Sequence, residues 1–144
     1  MPERRRIDLL RLAEERGLRL GASRTQVIDV IDRMGRPFTA GDLLEAVDRE
    51  ARGVGRATVF RTLQLLCSHG LLEQVRLDEG QVVYVADHSE DHHHHLICTV
   101  CATIVEISAC QVSGLAKAIA KERGFQLSSH TFDIYGVCSH CRDN

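Results

Sequence analysis

Two Cys-x-x-Cys turns, Cys98-x-x-Cys101 and Cys138-x-x-Cys141, lie 36 residues apart and restrict this chain more than any other feature of its sequence. Such a turn lets two sulfurs reach one ion at ~2.3 Å while neighbouring backbone N–H groups offset part of the thiolate charge. A second turn completes the tetrahedral shell that zinc prefers. The spacing therefore predicts a structural zinc site that pins residues 138–141 back onto residues 98–101. A thioredoxin-like redox dithiol uses a single pair. A nucleobase deaminase needs Pro-Cys-x-x-Cys, and the only prolines here are Pro2 and Pro37. Of the other two cysteines, Cys67 reads as helix packing and Cys110 is unassigned.

With 44% hydrophobic and 26% charged residues the 144-residue chain has the mix of a folded globular protein. No apolar run approaches the ~20 residues of a membrane span, and the arginine-rich start lacks an apolar signal core, so a cytoplasmic protein is expected. The net charge is −2, yet the first 80 residues carry 14 arginines against 13 acids and the rest four basic against seven acidic residues. This asymmetry is weak, and the motifs carry the argument.

Residues 4–16 place Ile7, Leu10 and Leu12 at helical spacing before Gly17. Ser23 offers an N-cap for a second helix with the stripe Val27, Ile28, Ile31 and Met34. Thr39 caps a third, and a fourth runs from about Arg56 to His69 with Val59, Leu63 and Leu66 inward. Leu72 to Leu77 and Gln81 to Val85 read as a hairpin. Helices followed by a hairpin describe a winged helix-turn-helix. The stretch from Asp87 to Asp91 is wholly polar and reads as a hinge. Beyond it, His95 to Val100, Thr103 to Ile107 and Phe125 to Tyr135 read as strands, and Val112, Leu115 and Ile119 line one helix face. The expected architecture is α+β. A winged-helix DNA-binding domain at 1–86 and a hinge at 87–91 precede a small α/β dimerisation and metal-binding domain at 92–144. With so little apolar material, that second domain calls for both a metal and a partner subunit.

His92, His93, His94 and His95 lead directly into Leu96, Ile97 and Cys98. On a strand, alternation sends His92 and His94 to one face and His93 and His95 to the other, making two imidazole pairs suited to zinc, iron, nickel or copper. Candidate partners for His93 and His95 are Glu73, His88 and Glu106. The candidate for His92 and His94 is His130, which reads equally well as a satisfied core histidine beside Phe132 and Ile134.

These residues resemble the ferric uptake regulator family from Gly17 to Cys141. The resemblance is carried by Ala57-Thr58-Val59-Phe60-Arg61-Thr62-Leu63, which is similar to that family's recognition helix. It is carried also by His92 to Cys101 and by the tail from Ser129-His130 through Tyr135-Gly136 to Cys138-x-x-Cys141. It implies a cytoplasmic homodimeric repressor that binds AT-rich palindromes in double-stranded DNA when loaded with metal. Cys98, Cys101, Cys138 and Cys141 would hold structural zinc, and Glu73, His88, His93 and His95 would sense zinc or iron, with Asp87 and Glu106 as further candidates. No histidine stands near Pro37, where iron and peroxide sensors draw one, and three His with one Glu suits tetrahedral zinc; many zinc sensors, however, have cysteine where this chain has His88. A weaker site at His92, His94 and His130 lacks the family's glutamate, which aligns with Ser113.

On the fourth helix Arg56, Phe60, Arg61 and Gln64 lie away from the apolar stripe and should face DNA with Ala57 and Thr58. The resemblance adds Arg19 and Arg24 as groove and backbone contacts. Other readings are an iron-responsive or peroxide-sensing member of the same family, a metallochaperone or storage protein, or an enzyme. No His-Glu-x-x-His, nucleophile elbow or phosphate loop supports the last, so a non-enzyme is expected.

Overall fold

Leu9–Glu15 (α1), Ala22–Met34 (α2), Ala40–Glu50 (α3) and Arg56–Ser68 (α4) precede the strands Leu72–Arg76 (β1) and Val82–Ala86 (β2) in the computed structural model, which describes residues 8–77, 80–86, 94–107 and 110–143. The chain divides into two units, Met1–His88 and Ser89–Asn144.

In the first unit α1 starts at Asp8, whose side chain accepts the Arg11 N–H at 2.9 Å. The Asp32 carboxylate of α2 accepts the Leu9 N–H at 3.0 Å, tying the two helices together. Leu9 and Ala13 are the buried residues of α1, with Leu10 and Leu12 packed at the core's margin. Ile7, the first residue of the expected helical pattern, lies outside the described residues. Helix α2 begins one residue before the expected cap. Gly21 is its N-cap without a side-chain bond, and Ser23 falls inside the first turn. The Thr39 prediction holds. Thr39 Oγ1 accepts the Asp42 N–H at 3.0 Å and the Asp42 carboxylate accepts the Thr39 N–H at 2.9 Å, satisfying two orphan donors reciprocally.

Helix α4 buries Val59, Thr62, Leu63 and Leu66 against Val27, Ile28, Leu43 and Val47. Burying each such aliphatic side chain stabilises by about 1.5–3 kcal/mol before entropy is subtracted. The wing, β1 and β2, is antiparallel with Glu73 opposite Val85 and Gln74 opposite Tyr84. Phe38 bridges to the wing through paired backbone bonds with Tyr84 at 3.1 and 2.7 Å, and the two rings stack at 5.7 Å. The element order and this packing form a winged helix-turn-helix whose α3–turn–α4 pair presents α4.

The second unit holds His94–Cys98 (β3), Ile104–Ile107 (β4), Ser113–Glu122 (α5), Asp133–Gly136 (β5) and Ser139–Arg142 (α6). Strand β3 lies between antiparallel β4 and parallel β5. A parallel neighbour requires a crossover, which α5 supplies. The strand expected over Phe125 to Tyr135 forms only where β3 offers ladder groups, from Asp133 to Gly136, so His130 precedes the strand instead of lying within it. The apolar face expected on α5 is uncovered in the single chain. Leu115 and Ile119 are exposed, Val112 is the N-cap, and no residue of the helix is buried. Among the described residues no helix is long and apolar enough to cross a membrane.

Candidate metal centres and nucleic-acid interface

Strand β3 ends at Cys98 and the chain turns sharply to Cys101. Ala102 then adopts φ +57, the only positive φ at a non-glycine among the described residues. The turn is closed by Ala102 N–H to Cys98 O at 3.0 Å, and Thr99 N–H donates to Gly136 O at 2.8 Å, which brings the end of β5 alongside. Cys138 follows as the N-cap of α6, and Cys141 lies on that short helix. The four sulfurs gather within 4.8 Å of one another. Cys101 Sγ and Cys138 Sγ are 3.8 Å apart. A regular tetrahedron of thiolates at ~2.3 Å from zinc has edges of about 3.8 Å, so the cluster fits that ion.

The protonation pattern agrees with a cation site. Backbone N–H groups of Cys101, Cys138 and Val100 lower the Cys98 thiol to about 6. Thr103 lowers Cys101, its hydroxyl 3.1 Å from the sulfur. Hydrogen bonding to the sulfurs of Cys101 and Cys138 pushes Cys141 up to about 12, because the S–H proton it donates to them is lost on ionisation. A divalent ion would take the place of that proton.

A second cluster joins His94, Cys110 and His130. Cys110 Sγ is 3.1 Å from His94 Nε2 and 3.1 Å from His130 Nε2. The two imidazoles stack at 5.2 Å, and Phe132 meets His94 edge-on at 5.9 Å. His94 is 2% exposed. Sequence reasoning grouped His94 with His130 but left Cys110 aside, because no spacing rule connects a lone cysteine to residues 16 and 20 positions away.

On the other face of β3, His95 is also buried. The ladders place Glu106 and Asp133 directly opposite it on β4 and β5, so a Glu–His–Asp row crosses the sheet. His95 Nδ1 lies 3.2 Å from Asp133 Oδ1. Asp133 was not foreseen; only the parallel β3–β5 register reveals it. Glu73 belongs to the first unit, on β1. His88, His92, His93 and Asp87 lie outside the described residues.

On α4, Arg56, Ala57, Phe60, Arg61 and Gln64 are exposed and Thr58 is half-buried. Phe60 is 45% exposed, so it is no core residue. Arg61 Nε donates to Ala57 O at 3.2 Å, holding the guanidinium along the helix. Arg19 is exposed and Arg24 half-buried. A cavity of about 570 Å³ opens between α4 and the wing, its walls including Phe60, Gln64, Glu73 and Tyr84. Glu73 thus shares a wall with the expected DNA-reading side chains.

The model of the Ferric uptake regulator family matches residues 15–135. The chain is 35% identical over 126 residues to the zinc uptake regulation protein of Mycobacterium tuberculosis, covering 88% of this chain and 96% of the relative. It is 34% identical over 127 residues to the ferric uptake regulation protein of Bordetella parapertussis, covering 88% and 91%. The solved ferric uptake regulator of Francisella tularensis with iron superposes with a TM-score of 0.71 at 26% identity, covering 88% of this chain and 96% of that one.

Proposed function

Starting from the fact that the chain belongs to the ferric uptake regulator family, we propose that it is a repressor of metal-uptake genes which responds to zinc and binds AT-rich palindromic operators as a homodimer. The supporting observation for a dimer is the distribution of uncovered apolar surface. Among the described residues every large exposed apolar side chain except Phe60 lies in the second unit, including Leu115 and Ile119 of α5 and Phe132 and Ile134 around β5. Such a patch marks an association surface.

We assign DNA reading to the exposed side of α4. Phe60 is placed to pack on a thymine methyl, Gln64 to read adenine, and Arg56 and Arg61 to contact phosphate, with Ala57 and Thr58 at the helix start and Arg19 and Arg24 on the backbone. Cys98, Cys101, Cys138 and Cys141 would hold structural zinc. Glu73, His88, His93 and His95 are the proposed sensing ligands, a set of three imidazoles and one carboxylate that suits tetrahedral zinc. Glu73 lines the same cavity as Phe60 and Gln64, which puts one proposed ligand beside the reading face.

A second reading, iron-responsive regulation, is favoured by one observation: Glu106 and Asp133 stand opposite His95. Oxygen donors joining the set would favour six-coordinate iron(II) over zinc. Titrating operator binding with zinc and with iron(II) separates the readings. The zinc reading expects tight binding at the lower free zinc concentration, abolished in His93→Ala/His95→Ala with the dimer intact. Tight binding with iron(II) alone would establish the second reading, and binding indifferent to metal would exclude both.

A further inference from the structure

His94, Cys110 and His130 come from three separate segments: β3, the connection between β4 and α5, and the stretch leading into β5. They meet at one point, with two imidazole nitrogens each 3.1 Å from one sulfur and all three donors within 4.8 Å. The resemblance already implies a site at His94 and His130 that lacks the family's glutamate; we propose that the Cys110 thiolate supplies the missing ligand, which makes it a nitrogen–sulfur site for zinc or another thiophilic ion. The proposal uses no residue of the sensing set Glu73, His88, His93 and His95, so it stands or falls separately from the reading above.

The geometry is close to that of a bound ion. With zinc–nitrogen bonds of ~2.0 Å and a zinc–sulfur bond of ~2.3 Å, tetrahedral angles set the nitrogen–sulfur distance at about 3.5 Å. The cluster needs to open by roughly half an ångström, which the half-buried Cys110 and His130 side chains can provide. His94 is held more firmly, buried on the central strand with Phe132 against its edge.

Donor chemistry then decides the ion. A thiolate with two imidazoles suits zinc, cobalt(II) or copper(I), while manganese and magnesium prefer oxygen. Binding replaces the thiol proton, which leaves to solvent as the sulfur–metal bond forms, so no redox partner is needed. The ion would also fasten the entry of α5 to β3, in a unit where α5 buries no residue of its own.

The test uses the full-length protein with its four-cysteine site filled with zinc, titrated with cobalt(II). A thiolate-to-cobalt charge-transfer band is expected, with one cobalt per chain lost in both Cys110→Ser and His130→Ala and retained in His93→Ala. Persistence of the band and of the stoichiometry in Cys110→Ser would overturn the assignment. A measurement on the unmutated protein covers the case of variants that fail to fold. Mass mapping after iodoacetamide treatment should show Cys110 protected by added zinc and labelled without it; equal labelling would also overturn the site.

Discussion

His95 Nδ1 lies 3.2 Å from Asp133 Oδ1, a contact fixed by the parallel β3–β5 register that sets the two residues side by side. With the ring proton on Nδ1, the carboxylate orients the imidazole and leaves Nε2 as the nitrogen available to an ion. Such carboxylate–histidine contacts raise ligand basicity and are worth about 10–100-fold in metal affinity. Asp133→Asn should therefore shift the metal dependence of operator binding to about 10–100-fold higher concentration while the four-cysteine zinc content stays constant. An unshifted midpoint would leave the contact a packing detail.

Stripping zinc from the cysteine cluster should affect the two units unequally. The first has an extensive apolar core, whereas among the described residues the second buries little beyond Ile97, Cys98, Ile104, His94 and His95. Structural zinc in small domains contributes about 10–16 kcal/mol of apparent binding free energy at neutral pH. Chelation is expected to abolish the dimer and weaken the strand signal to that of the wing, while most helical circular dichroism persists. Zinc uptake must also expel the proton that Cys141 holds up to about 12, so affinity should rise with pH. Calorimetry in two buffers of different ionisation heat reads the released protons, and a pH-independent affinity would contradict this protonation pattern.

Two neighbours on α4 should separate folding from recognition. Leu63 is 2% exposed and Phe60 45%. Leu63→Ala should cost about 2–5 kcal/mol in urea unfolding. Phe60→Ala should leave stability nearly unchanged and weaken operator binding. Arg56→Ala should weaken binding to all duplex sequences and flatten its salt dependence by about one counterion. Equal operator affinity for Phe60→Ala would remove that ring from the reading face.

Burial raises the Asp32 pKa above the usual carboxylate value, against the lowering effect of the Leu9 and Leu10 N–H groups. The folded chain then binds this proton more readily than the unfolded chain. The ionised carboxylate therefore costs stability near neutrality, and the cost disappears as pH falls through the raised pKa. Asp32→Asn keeps an acceptor for the Leu9 N–H without the charge. It should be at least as stable as the parent near neutrality, with the difference shrinking in mild acid, as followed by thermal unfolding.

Much of the first unit was legible because its signals are local. Thr39 with Asp42, the Val59, Leu63 and Leu66 stripe, and the wing strands each follow from residues a few positions apart. The four cysteines were legible because paired turns are specific even across a long separation. The second unit was harder to read. Apolar spacing on α5 correctly marked a face, but the single chain leaves that face uncovered, which periodicity cannot distinguish from core. The strand before Gly136 was overextended because its length is set by the five residues of β3 and not by its own composition. Asp133 beside His95, and Cys110 between His94 and His130, depend on sheet register and a crossover, and neither leaves a trace in local sequence.

The central place of β3 makes it a ruler. Bonded on one side to β4 and on the other to β5, it cannot slide, so each of its two imidazoles is assigned a side by parity alone. Inserting a single residue between His95 and Cys98 would keep every donor atom in the protein, yet it would turn both rings to the opposite faces and leave no imidazole across from Asp133. Loss of metal selectivity would follow without the loss of any ligand.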